Sequence, residues 1–226
     1  MPQTTSTFRQ KQKELLGELS QTGSQPSFTD PQLDSWRNDE VGVLYGKGLY
    51  KVASTRGLAG YIEPNIVTNV TTGFVPRYYP LPTLWRRVYA VEVIDPTTDQ
   101  YMRKILRFDD LEVPGNIRID NLDLDVGTVA VPYSLRFRGE SEYTGVDDAY
   151  MHQEVVDVVL FGSAMRALVS EYMKRIKVKQ VTRGNDRQSS LVTWHMSSAI
   201  AQLRTLQKDA RTSALNIQRT TSVAIS

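Results

Sequence analysis

Residues Asp147–Ile176 read DDAYMHQEVVDVVLFGSAMRALVSEYMKRI, and this stretch decides the fold. Met151, Val155, Val158, Gly162, Met165, Val169, Tyr172, Met173 and Ile176 recur every three to four residues, the spacing that gathers side chains on one face of an α-helix. Val156, Val159, Leu160, Phe161 and Leu168 add a second row, so the apolar surface is wider than a single stripe. A helix of this kind needs cover on several sides. The pattern predicts that Val156, Val159, Leu160, Phe161 and Leu168 form a subunit interface, sheltered in part by sister chains. Asp147 and Asp148 suit the positive end of the helix dipole, and Lys174, Arg175, Lys177 and Lys179 suit the negative end.

Downstream, Thr182–Asp186 reads as a loop. A last helix opening at Ser189 or Ser190 carries Val192, Met196, Ala199, Leu203, Leu206 and Ala210 on its face. From Thr212 to Ser226 the chain is polar, and Leu215, Ile217, Val223 and Ile225 alternate with polar residues as an added strand would. Upstream, Phe8–Leu19 is a short amphipathic helix. Thr29-Asp30-Pro31 starts another, with Leu33 and Trp36 on its apolar face, running toward Tyr50 past Gly42, Gly46 and Gly48. From Gly57 to Pro82 glycine and proline multiply, with short extended pieces at Ile66–Val70 and Phe74–Val75. Arg87–Ile94 and Tyr101–Phe108 flank the turn Asp95–Asp99 as a hairpin; Asn116–Asp120 and Thr128–Arg138 supply two more strands, and Asp109–Glu112 a helical turn. The expected fold class is therefore α+β, mainly helical: a helical bundle with an inserted small antiparallel β-sheet and an extended C-terminal tail. Its parts are a bundle from residues 1–56 and 147–211, a β-rich insertion at 57–146, and a tail at 212–226.

A chain of 226 residues can bury one sizeable core or one core with an insertion. With no cysteine, it has neither disulfides nor thiolate chemistry. Met1–Gln25 is polar, without a signal-peptide core, and no run approaches the ~20 apolar residues that span a bilayer. A soluble protein without a membrane partner is expected. The net charge is only +2, but it is split: from Arg166 onward about eleven basic residues face about three acidic ones, whereas the preceding chain is acidic. That polarity favours contact between copies, or a basic surface near a polyanion.

Motifs for chemistry fail on their spacing. Gly42–Lys47 is one residue short of a phosphate loop, and Gly48 stands where Ser or Thr is required. Asn121-Leu122-Asp123-Leu124-Asp125 resembles the start of a calcium loop, but its glycine is displaced to Gly127 and its twelfth position is Pro132. His152 and His195 lack metal-spaced companions, and the residues after Ser163 do not complete a nucleophile elbow. No enzymatic activity, cofactor or metal is expected. Arg204, Lys208 and Arg211, at i, i+4 and i+7, share one helix face; they read as a solvated face or as a possible DNA-channel lining that contacts phosphates without reading bases.

The order of these pieces resembles the head-to-tail connector (adaptor, or head-completion) proteins of tailed bacteriophages. The resemblance rests on the helix at Phe8–Leu19, on Phe28-Thr29-Asp30-Pro31-Gln32-Leu33-Asp34-Ser35-Trp36-Arg37-Asn38, and on Tyr79-Pro80-Leu81-Pro82 followed by Trp85, Val88 and Val91. The long helix through Asp157–Tyr172, a second helix and a tail complete it. It covers nearly the whole chain, although Gly57–Gly73 is longer than in short members. It implies a structural protein of the virion neck, assembled in the host cytoplasm. Copies would form a ring, with the portal's usual twelvefold symmetry, that extends the DNA channel and docks the next neck or tail protein. It also implies a portal-docking tail bearing Leu215, Ile217, Arg219, Val223 and Ile225. The rival readings are another tail-completion or baseplate component, and a non-specific DNA-binding module.

Overall fold

In the computed structural model, the described residues are 4–19, 28–58, 61–66, 78–95, 97–105, 108–109, 115–119, 133–181 and 187–225. They form two compact units, a helical one from Met1–Leu49 with Tyr143–Ser226 and a β unit from Tyr50–Glu142.

The helical unit holds α1 (Thr5–Leu19), α2 (Asp30–Gly42), a 3-10 turn (Tyr45–Lys47), α3 (Gln153–Val181) and α4 (Arg187–Ile225). At the start of α2, Gln32 Oε1 accepts the Thr29 backbone N–H at 3.0 Å, and Pro31 occupies a first-turn position where no N–H is needed. The helix stops at Gly42 rather than continuing to Tyr50, because the glycines at 42, 46 and 48 weaken it and the chain turns through Tyr45–Lys47. α3 begins at Gln153, not at Asp147. Asp148 is buried, and its carboxylate accepts the Thr144 N–H and Oγ1–H and the Tyr150 N–H, which builds the turn leading into the helix.

α3 runs through two apolar clusters. The first joins Val155, Val156, Val158 and Val159 to Phe8, Leu44, Leu49 and Ala214; the second joins Ala164, Ala167 and Leu168 to Leu16, Leu33, Ala199 and Leu203. This corrects the expected subunit interface. Val156, Val159 and Leu168 are buried in their own chain, and Leu160 and Phe161 are half-buried against the same two clusters. Three helices and the Tyr143–Met151 segment consume the wide apolar surface locally, each fully buried Val or Leu contributing about 1.5–3 kcal/mol.

The expected mainly helical bundle with one small sheet is also corrected. The β unit contains two antiparallel sheets, and one of the chain's sheets is curled as a half-barrel. The larger has the order β1 (Lys51–Ser54), β8 (Tyr133–Ser141), β4 (Trp85–Asp95), β5 (Gln100–Ile105), with β2 (Asn65–Ile66) also pairing β8. The smaller has the order β3 (Tyr78–Pro80), β7 (Asn116–Ile119), β6 (Phe108–Asp109). Residues 51–54, to which the sequence pattern assigns no element, form a strand that pairs with Arg138–Ser141. Asp109, expected to open a helical turn, instead closes the short strand Phe108–Asp109, and the rest of that expected turn, 110–112, lies outside the described residues. The β4–β5 hairpin turns at Asp95, whose carboxylate accepts the Thr97 N–H and the Thr98 hydroxyl. Val91 and Val93 on β4 and Leu135 and Phe137 on β8 are two apart and share the core with Ile105 and Ile117, and Val88 joins them across a register shift between Val88 and Ala90. Opposite Val88, Gly139 permits close approach: a Cβ there would lie 2.0 Å from the Arg87 carbonyl oxygen. The expected pieces at 67–70 and 74–75, the calcium-like segment 121–125 and the loop 182–186 lie outside the described residues.

The third correction concerns the tail. Residues 212–225 are not extended, because α4 continues without a break to Ile225. Leu203, Gln207, Ala210 and Ala214 repeat at helical spacing across the expected boundary, and no glycine or proline follows Gly184 to stop the helix.

Candidate interaction faces of the helical unit

The helices of this unit meet at Glu40, a buried carboxylate with 3% exposure at the end of α2. Lys47 Nζ lies 2.6 Å from Glu40 Oε2, Arg166 Nε of α3 donates to Oε1, and Gln207 Nε2 of α4 donates to Oε2 at 3.2 Å. Gln207 also donates to the Val158 carbonyl of α3 at 3.2 Å. Burial raises the Glu40 pKa, but the hydrogen bonds and charges of Lys47 and Arg166 outweigh it and hold the carboxyl below its ordinary value. One anion thus ties α2, the 3-10 turn, α3 and α4 together. Gly162 makes the site possible: a Cβ there would stand 2.3 Å from Gln207 Nε2 and 2.4 Å from Glu40 Oε2. Sequence periodicity places Gly162 in an apolar row but gives no sign of this polar notch.

The phosphate-loop-like segment is committed elsewhere. Lys47 is bound to Glu40, and the Lys47 carbonyl accepts Arg211 Nε and Nη2 at 3.1 and 2.8 Å. Ser163 is buried and donates to the Leu160 carbonyl at 3.0 Å, as a satisfied core hydroxyl does. His152 and His195 are exposed.

On α4, Ala199, Leu203, Gln207 and Ala214 face inward, whereas Arg204, Lys208, Arg211 and Arg219 are exposed. Arg204, Lys208 and Arg219 lie within about 60° of one another around the helix, along roughly 22 Å of its axis. Arg211 shares this side but is tied to the Lys47 carbonyl. Of the expected docking-tail residues, Leu215 is packed against the cluster around Phe8, Ile217 is half-buried and Arg219 is exposed. Val223 and Ile225 lie on the last turns of α4, with side chains outside the described residues. The strand-like alternation of Leu215, Ile217, Val223 and Ile225 is thereby replaced by helical phase.

A second feature lies between α2 and α3. Trp36, Asp39, Met165, Arg166, Val169 and Ser170 line an open cavity of about 320 Å³. Trp36 is fixed edge-on against Phe28, with ring centroids 5.3 Å apart.

In the β unit, Arg136 is buried on β8 and bonds Glu63 Oε1 through Nε at 2.9 Å and Asp99 Oδ1 through Nη2. Thr55 Oγ1 donates to Glu63 and accepts the Phe137 N–H at 3.0 Å. This network pins Thr55, Glu63 and Asp99 to the central strand β8. It does not gather groups into a cleft. Among the described residues no His, Asp or Glu cluster has a metal-binding arrangement, and no helix is long and apolar enough to cross a membrane.

Compared with known families and with curated proteins, the chain matches neither a family model nor any curated sequence.

Proposed function

We propose that this chain is a structural neck protein of a tailed phage, a head-to-tail adaptor that forms a ring under the portal and extends the DNA channel. The observation that carries the reading is the outer face of α4, where Arg204, Lys208 and Arg219 stand exposed along one side of a helix fixed from within by Leu203, Gln207 and Ala214. Such a face suits a conduit wall, because point charges meet phosphates wherever the strand lies. The segments that resemble adaptors also hold structural places in this chain. Phe28 and Trp36 pack together, Leu33 is buried beside α3, and Tyr79 lies in the core of the β unit just ahead of β4.

In this reading the chain is not an enzyme, and its partners are its own copies, the portal, the next neck or tail protein, and DNA in passage. The portal contact falls to the C-terminal helix from Ile217 onward, since Leu215 already serves the chain's own core. Electron microscopy of the purified protein mixed with portal tests the proposal. The expected result is a ring of density on the portal's tail-facing end; absence of association, or attachment elsewhere, overturns it. The exposed basic face also permits a second reading, a free DNA-binding module. Steep salt dependence of binding to free duplex DNA by the isolated chain would favour that alternative.

A further inference from the structure

We propose that the groove between α2 and α3 is a self-association surface, on which a second copy of this chain packs about a twofold axis. The groove has an apolar floor and banks of opposite charge. Trp36 from α2 and Met165 and Val169 from α3 make the floor, which continues to Met173 at the same four-residue step. Val169 and Met173 are 41% and 49% exposed, unlike the apolar residues on the earlier turns of α3. Aromatic and Met side chains of this kind dominate the centres of protein interfaces, and Met adapts readily to an identical partner.

The banks choose the occupant. One position along from each floor residue of α3 stand Arg166, Ser170 and Lys174, forming a polar bank with two cations. The facing bank, on α2, presents Asp39, which is exposed and forms no ion pair among the described residues. Arg166 donates its Nε–H to Glu40, and a guanidinium has four further N–H donors. Asp39 and Arg166 line one groove without an ion pair joining them. A twofold axis lying along the groove, and not one across it, sets the acidic bank of each copy against the basic bank of the other and brings the two floors together. The complementarity is satisfied twice with no second surface required. A partner of single charge would leave one bank unmatched.

This inference stands apart from the neck reading. Portal capping tests that reading, whereas the free chain in solution tests this one. Sedimentation equilibrium of the full chain, up to about 200 μM, is expected to show a reversible monomer–dimer equilibrium. Val169→Glu or Met173→Glu, at exposed positions, is expected to leave a folded monomer over the same range, with unchanged far-UV circular dichroism. Two variants guard against a folding defect in either one. Asp39→Lys and Lys174→Glu are each expected to weaken dimerisation about tenfold, since two symmetry-related pairs are lost, and the double variant to recover it. A wild-type chain that stays monomeric throughout overturns the proposal. So does association that Val169→Glu leaves unchanged, or a double variant no tighter than its parents.

Discussion

Replacing Gly162 with Ala should destabilise the protein, against the usual sign for a glycine inside a helix. Gly162 lies in the interior of α3, where alanine is ordinarily favoured by about 1 kcal/mol. Here the added methyl would stand 2.3–2.4 Å from Gln207 Nε2 and Glu40 Oε2, well inside contact distance. Both atoms belong to flexible side chains, but neither is free to leave. Glu40 is held by Lys47 and Arg166, and Gln207 by Glu40 and the Val158 carbonyl. Overpacking costs about 1–3 kcal/mol. Displacing Gln207 from a buried carboxylate and carbonyl adds about 1–3 kcal/mol for bonds left unmade. Against the propensity gain of about 1 kcal/mol, the net loss is about 3 kcal/mol. Urea titration followed by circular dichroism, whose helical signal comes from the helical unit, would measure it. The second arm is a double-mutant cycle with Gln207→Ala, which removes the obstructing amide. The methyl should then be tolerated, giving a coupling of at least about 1 kcal/mol. Stabilisation by about 1 kcal/mol in the single variant, or simple additivity in the cycle, would refute the reasoning.

The remaining predictions concern charge and the C-terminal helix. Because the folded pKa of Glu40 is depressed, its contribution is present above its unfolded pKa of about 4.5 and is lost as pH falls through the lower folded value. Urea midpoints measured from pH 6 down to pH 3 should therefore fall less steeply in Glu40→Gln than in the parent, though the variant starts about 2–4 kcal/mol lower; parallel slopes would count against the assignment. Arg136→Ala should destabilise the β unit by about 3 kcal/mol, because Glu63 loses its cation while 18% exposed and Asp99 loses one of two; a loss below about 0.5 kcal/mol in chemical denaturation would contradict this. Leu215→Ala should cost about 2 kcal/mol in the same assay, reflecting its packing beside Phe8 and Leu44, whereas an extended docking tail would give no change in the free protein.

What the sequence made legible was local. The helix start at Thr29-Asp30-Pro31, the hairpin that turns at Asp95 and the three-to-four-residue spacing of α3 each depend on neighbours a few residues away, so pattern alone reaches them. Glu40 could not be found that way. Its partners stand 7, 126 and 167 residues along the chain, and in sequence it is one more acid near the end of an amphipathic helix. The misjudged interface on α3 has the same origin. A row of Val156, Val159, Leu160, Phe161 and Leu168 establishes that cover is needed, but not whether α1, α2 and α4 or another copy supplies it.

The tail shows how two periods can compete for one set of residues. Leu215/Ile217 and Val223/Ile225 alternate at two, as strands do, yet Leu203, Gln207, Ala210 and Ala214 carry a helical period straight into Leu215. The helical reading wins because each of those four side chains already has a buried or half-buried place against α3 or the core around Phe8. A strand starting at Thr212 would abandon Ala214 and Leu215 to solvent and break the hydrogen-bond ladder beyond Arg211 without a cap. The consequence for assembly is specific. A rigid helix reaches about 1.5 Å per residue rather than about 3.3 Å, so residues 216–225 can extend roughly 15 Å from the core rather than about 33 Å. Any partner they engage must therefore come to this unit closely and present a surface for a helix, not an open sheet edge.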